Sequence, residues 1–317
     1  MKPSNRLADW LGLIRFSHTI FALPFAALAT AMAMATPLPV TAGQADVGQT
    51  ESVYPSVGIA SLLGIILCMV TARSAAMAFN RWVDHRIDAA NPRTAERHLP
   101  AGILTRRSVL LFTIGCSVAF VLSTLLFWPN WVPLAASVPV LLFLLGYSLA
   151  KRFTAAAHLW LGVALSLSPL CAWVAIRGPA SVLSPVDLIA PGILAAAVAA
   201  WVTGFDIIYA CQDAQYDQSV GLHSIPARFG VAGALRISAI CHVVMLGLLA
   251  ALPWAAAGSG FGWLFGGVLI LVAALVIRQH MLVRPDDLRR VNQAFFDTNA
   301  AISVALLVAG TVDCFWL

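Results

Sequence analysis

Apolar positions along this chain gather into long blocks separated by short polar connections. A helix needs about 20 mostly apolar residues to cross a bilayer core. Blocks of that size run over roughly 17–36, 57–79, 107–127, 131–150, 156–176, 186–209, 234–255, 261–278 and 295–315. The pattern predicts an all-α, polytopic membrane protein with about nine transmembrane helices.

The connections alternate in charge. One set holds Lys2, Arg6 and Arg15; then Arg81, Arg86, Arg93, Arg97, Arg106 and Arg107; then Lys151 and Arg152; then Arg228 and Arg236; then Arg278, Arg284, Arg289 and Arg290. The opposite set holds only Arg177. Basic residues mark the cytoplasmic side, so the N-terminus is expected inside and the C-terminus outside. The outer connections are tight except for 37–56, a polar stretch carrying Asp46 and Glu51.

Composition agrees. Of 317 residues, 60% are hydrophobic and 10% charged, with mean hydropathy +0.87. A soluble domain carries about 25% charge. The net charge of +5 therefore bears on orientation and predicts no nucleic-acid partner. Six scattered cysteines without C-x-x-C read as small core residues. The N-terminal MKPSNRLADWLGLIRFSH shows no removable signal peptide and reads as a basic, amphipathic lead-in.

The chemistry concentrates at the inner ends of two spans. Asn80, Asp84 and Asp88 follow one another in steps of four, which places them on one helix face. Asp213 and Asp217 repeat the step in the other half. Two inner loops, roughly 80–106 and 210–233, are read as carrying one pair each. The halves, about 17–150 and 156–315, thus loosely repeat one another within a single membrane domain.

Stacked carboxylates repel each other and invite a divalent cation, most plausibly Mg²⁺. Each pair alone also fits a solvated helix end. Two matching pairs on one side suggest two ions clamping a polyanion such as diphosphate. Arg93, Arg97, Lys151, Arg152 and Arg228 add forked or point-charge donors for phosphate oxygens, or serve as cytoplasmic anchors. Arg73 lies inside a span, seven residues before Asn80, where an arginine faces a polar cavity or snorkels to the surface. Asp206 and Asn299 either line the same cavity or bond between helices. The seven histidines show no metal-ligand spacing, and no phosphate-binding loop or dinucleotide fingerprint is present.

N-R-W-V-D-H-R-I-D, Y-A-C-Q-D-A-Q-Y-D, R-T-A-E-R-H-L-P-A-G, Y-S-L-A-K-R-F and H-S-I-P-A-R-F-G resemble the signatures of the UbiA superfamily of intramembrane aromatic prenyltransferases. The resemblance covers nearly the whole chain. It implies nine helices around a central cavity, capped by two cytoplasmic loops, in the inner membrane of a prokaryote. It also implies a lateral opening that leaves an isoprenoid tail in the lipid bilayer. Asp84, Asp88, Asp213 and Asp217 would hold Mg²⁺ and, through it, a polyprenyl diphosphate, with Asn80 supporting the first pair. Arg93, Arg97, Lys151 and Arg152 would lie along the diphosphate, Arg73 and Asn80 near the aromatic acceptor, and Tyr209 matches a family tyrosine. The acceptor would be a quinone-precursor acid, 4-hydroxybenzoate on the ubiquinone route or a dihydroxynaphthoate on the menaquinone route. The string from Asp206 to Gly230 is more similar to menaquinone members. The rival class is a secondary transporter or ion pathway. Acids clustered at one surface rather than at the midplane argue against it.

Overall fold

The computed structural model describes residues 6–15, 21–38, 53–256 and 258–316. A short helix α1 (Arg6–Leu13) is followed by α2 (Leu23–Ala35), α3 (Ile59–Ala90), α4 (Arg106–Ser123), α5 (Val132–Ala150) and α6 (Ala157–Arg177). Then come α7 (Pro179–Leu183), α8 (Ile189–Ala210), α9 (Ala214–Ser219), α10 (Ile225–Ala255), α11 (Trp263–Leu282) and α12 (Val291–Trp316). The architecture is all-α, and 8 of the described helical segments are long and apolar enough to cross a membrane.

α2 is the exception to the sequence expectation. It has 13 residues, about 20 Å at 1.5 Å per residue, which falls short of a bilayer core. The positions that would lengthen it, 16–20, lie outside the described residues, as do Lys2 and most of the 37–56 connection. The other blocks fall where the apolar pattern put them, with corrected ends. α3 does not stop near 79. It continues 32 residues to Ala90, so Asn80, Asp84 and Asp88 stand on its last turns rather than in a loop. α10 opens with a short turn from Ile225, which Ser224 caps by accepting from Ala227 N (3.3 Å) and which Pro226 fits, ahead of the apolar block expected near 234. Gly230, at φ 70°, then bends the chain in a conformation that other residues resist.

α8 is the central post. It is buried along most of its length and packs against α6 and α10. α6 approaches it so closely at Gly162 that a Cβ there would stand 2.4 Å from the Ala199 carbonyl oxygen. A cluster of Phe21, Phe25, Trp201, Phe205 and Phe265 joins α2 and α11 to this post. α3 packs on α4 and α5 at the other side. Outward faces stay apolar, as with Leu111, Ile114, Val118 and Leu122 on α4 and Ile240 and Val243 on α10. Such a surface suits lipid rather than water. The exposed face of α1 carries Leu7, while Trp10 stacks on Phe112 of α4 with centroids 4.7 Å apart.

The end of the bundle opposite the acidic motifs is tied by Arg177. Its guanidinium bonds Asp187 (Nε to Oδ2, 2.9 Å) and donates to the carbonyl oxygens of Thr36 and Pro37 (2.6 Å each). Its side chain is fully buried, so truncation strands Asp187 without its cation. Arg177→Ala should cost about 3–5 kcal/mol. Thermal unfolding in detergent would show this as a lowered midpoint, and an unchanged midpoint would refute the clamp.

Candidate active site

One cavity of about 380 Å³ opens between α3, α5, α6 and α8. Its wall changes character along its depth. At the end where α3 and α8 finish it is lined by Asn80, Asp84, Asp88, Arg93, Arg97, Lys151, Arg152, Tyr209, Asp213 and Asp217. Below these come Arg73, Tyr147 and Asp206, and deeper still the apolar Cys68, Met69, Phe120, Val140, Leu144 and Leu161. The site residues singled out from the sequence meet in this one space, except Arg228 and Asn299. Arg228 lies over the Phe229 ring, 5.4 Å from its centroid, beside a separate surface depression.

Each acidic residue has a basic partner. Asp84 Oδ1 accepts from Arg152 Nη2 at 3.0 Å. Asp88 Oδ1 accepts from Arg97 Nη1 at 2.6 Å, with Arg81 Nη1 3.8 Å from its other oxygen. Asp213 takes both ends of the Arg93 fork, Nε to Oδ1 at 2.8 Å and Nη2 to Oδ2, and also accepts from Asn91 Nδ2 at 3.0 Å. Lys151 Nζ lies 4.0 Å from Asp217 Oδ2. Asn80 Nδ2 donates to Asp84 Oδ2 at 3.1 Å, which orients the first pair.

The Arg93 pair joins the first acidic motif's connection to the second motif. Arg93, from the connection after α3, reaches Asp213 and Tyr209 (Nη1 to Oη, 3.0 Å) at the end of α8. Tyr216 of α9 donates back to the carbonyl of Ile87 at 2.9 Å. Burial alone would lower the Arg93 pKa. The hydrogen bonds and charge of Asp213, with Tyr209, outweigh burial and hold the guanidinium above the ordinary arginine range.

The two pairs differ in their backbone. The first rides on the regular turns of α3. In the second, a 3-10 turn at Cys211–Asp213 tightens the chain before α9 begins, so Asp213 and Asp217 are not simply stacked on one helix. Among the described residues no three carboxylate, histidine or cysteine groups converge as a ready-made metal cluster. A Mg²⁺ site does not require one, since that ion takes one or two carboxylates and completes its shell with water and phosphate. The donor set fits this use. Asp88 Oδ2 and Asp217 Oδ2 are buried with no hydrogen-bond partner, an arrangement that costs free energy unless a cation shares it.

Arg73 is a further unsatisfied group in the cavity wall. It has no hydrogen bond or ion pair among the described residues, and its Nε is buried. It lines the cavity rather than reaching for the surface. Asn299, in contrast, is structural. Its Oδ1 accepts from Trp201 Nε1 at 3.0 Å and its Nδ2 donates to the Phe295 carbonyl at 2.7 Å, both inside the core.

Sequence reasoning missed Arg15, Arg81, Asn91, Tyr147 and His158. Arg81 and Asn91 sit within or beside the first acidic motif, and Tyr147 lies in the same short string as Lys151. Arg15, at φ 45°, ends α1 and turns into the cavity, and no local spacing announced it. His158 was passed over because its only signal is spatial.

The bidentate Arg93–Asp213 pair should make the loop depend on α8. In Asp213→Asn, amide hydrogen exchange across residues 91–102 should rise while that of α6 and α8 stays slow. Uniform exchange in both proteins would show that the pair does not hold the loop.

Comparison with known proteins bears on these features. The model of the UbiA prenyltransferase family matches residues 37–303. The 4-hydroxybenzoate octaprenyltransferase of Nitrosomonas europaea is 33% identical over 249 residues, which is 77% of this chain and 78% of that one. The enzyme of the same name from Vibrio cholerae is 29% identical over 256 residues, covering 78% and 84%. A UbiA homologue from Aeropyrum pernix superposes with a TM-score of 0.76 at 32% identity, covering 93% of this chain and 97% of its own. A UbiA homologue from Archaeoglobus fulgidus, solved with DMAPP and Mg²⁺, shares the fold with a TM-score of 0.67 at 14% identity, covering 98% and 100%.

Proposed function

The chain belongs to the UbiA prenyltransferase family and is an aromatic prenyltransferase, and we propose that it moves a polyprenyl group from its diphosphate to an aromatic acid that becomes a respiratory quinone. The observation that carries this reading is the single cavity itself. Four carboxylates with basic partners stand at one end, an unpaired arginine below them, and apolar walls beyond. A polyanionic head, an aromatic carboxylate and a hydrocarbon tail would occupy those zones in that order. The relatives' names favour 4-hydroxybenzoate, while the string from Asp206 to Gly230 leans toward a dihydroxynaphthoate.

In this reading the whole chain acts as one membrane domain. The acidic end faces the cytoplasm across the inner membrane of a prokaryote, because the basic connections gather there. Asp84, Asp88, Asp213 and Asp217 would hold Mg²⁺, which would supply positive charge toward the diphosphate oxygens. Arg93, Arg97, Lys151 and Arg152 then turn from their carboxylates to the same oxygens and stabilise the charge that grows as the allylic C–O bond breaks. Asn80 keeps Asp84 in position. Arg73 binds the acceptor carboxylate, since burial leaves its guanidinium without water to satisfy it. Phe120, Leu144 and Leu161 exclude the water that would quench an allylic cation.

Three outcomes test this reading. With Mg²⁺, a polyprenyl diphosphate and either acid, purified protein should form prenylated acid detectable by mass, and chelation should abolish it. Asp84→Ala or Asp213→Ala should remove turnover while the protein still inserts and folds; full activity in either would refute the metal assignment. Arg73→Ala should raise KM for the acid by roughly 10–100-fold, the loss of a charged hydrogen bond of about 1.5–3 kcal/mol, and leave KM for the diphosphate unchanged. Equal loss for both substrates would reject its role as the carboxylate receptor.

A further inference from the structure

The cavity holds a fifth carboxylate, Asp206. It stands on α8 seven residues before Asp213, about 10 Å deeper along the helix. That separation leaves room for a diphosphate at the acidic end and a ring beneath it. Asp206 differs from the other four in its partner. Each of those has an arginine or lysine, whereas Asp206 Oδ2 meets His158 Nδ1 at 2.7 Å.

The histidine is fixed from behind. His158 is fully buried, and its Nε2 lies 3.3 Å from the backbone N of Ile225, the first residue of α10. An N–H can only donate, so Nε2 must be the unprotonated acceptor. The ring proton therefore sits on Nδ1 and points at Asp206. This assigns the Nδ1–H tautomer, which donates to the Asp206 carboxylate. Asp206 Oδ1 is left with no hydrogen bond among the described residues, in a residue that lines the cavity.

We propose that Asp206 is the base that removes the ring proton in the second half of the reaction, and that His158 is its positioning residue. The inference rests on the aromatic-acceptor reading above. In the step, a ring carbon ortho to the acceptor hydroxyl forms a bond to the allylic carbon, and the C–O bond to diphosphate breaks with its electron pair leaving on oxygen. The same ring carbon still carries hydrogen. That C–H bond breaks, its electron pair restores the aromatic ring, and the proton passes to Asp206 Oδ1. The other four carboxylates are poorly placed for this, because their charge is spent on cations and on the diphosphate end. Tyr209 is also occupied, its hydroxyl accepting from Arg93.

The test compares native protein with Asp206→Asn, using acceptor acid with hydrogen or deuterium at the ring positions ortho to its hydroxyl. Asparagine keeps an acceptor for His158, so folding and Mg²⁺-dependent binding of the diphosphate, followed by calorimetry, should be retained. Turnover should fall about 100–10,000-fold, the range for loss of a general base. Ring deuteration should slow the variant clearly while leaving the native rate nearly unchanged, because only without the base does C–H cleavage limit the rate. His158→Gln should show a smaller loss with the same isotope sensitivity. Turnover of Asp206→Asn within threefold of native, or a large loss with no isotope effect, overturns the assignment. If the asparagine variant does not fold, Asp206→Glu takes its place under the same isotope criterion. Native protein that prenylates neither acid overturns the aromatic-acceptor reading and this step with it, a result distinct from native turnover with an unaffected variant.

Discussion

Four carboxylates at the edge of an apolar bundle set the terms for the rest of this molecule. Removing a charge from water costs several kcal/mol unless it is paired and hydrogen-bonded. The chain meets that cost with cations drawn from distant segments: Arg97 and Arg93 from the connection after α3, and Lys151 and Arg152 from the end of α5. The partners of one acidic pair come partly from the other half's neighbourhood. Charge balance is thus also the force that closes the two ends over the cavity. The same cations are the ones best placed to turn toward a polyanion. A site that neutralises itself with mobile, forked donors is ready to exchange one set of negative oxygens for another.

Much of this was legible in the sequence, for reasons that differ between features. Apolar block length is a direct reading of bilayer thickness, so α3 to α6, α8 and α10 to α12 fall close to where the blocks lie, apart from the short α7 and α9. Block ends were less readable. Hydrophobicity ends near Phe79, yet α3 persists to Ala90, because backbone hydrogen bonding does not need apolar side chains and Asn80, Asp84 and Asp88 interrupt no turn. A short capped turn before Gly230 likewise precedes the apolar block of α10. That turn is set by a Ser224 cap and by Pro226, which no hydropathy window weighs. The helix described in the first block, α2, is shorter than the block, whose residues 17–20 lie outside the described residues.

The acidic pairs were legible because a step of four survives as proximity on any helix. What surrounds them was only half visible. Arg93 and Arg97 stood beside the motif, but which aspartate each would serve depends on how α3 and α8 converge. Arg15 and His158 carry no local signature at all. A histidine is judged from sequence by the spacing of metal ligands, and His158 is instead matched to Asp206 across the contact of α6 with α8. Its second nitrogen is committed to the start of α10. Only the packing of three helices reveals its tautomer.

That packing explains why the cavity sorts its charges by depth. Near the acidic end, strong positive partners are tolerable because they will be used against a polyanion. Farther in, a guanidinium or ammonium beside the reacting carbon would oppose a developing carbocation by like-charge repulsion, which grows as the local dielectric falls. A carboxylate there does the reverse, and a neutral histidine can orient it without cancelling its charge. Arg73 is a cation at depth with no hydrogen bond or ion pair among the described residues, and in the proposed reading an incoming carboxylate would neutralise it before the carbocation forms. On that reading an order of binding would follow from electrostatics, with the acid seated on Arg73 before ionisation becomes favourable. Donor alone would meet an uncompensated positive charge along its path and hold its diphosphate intact.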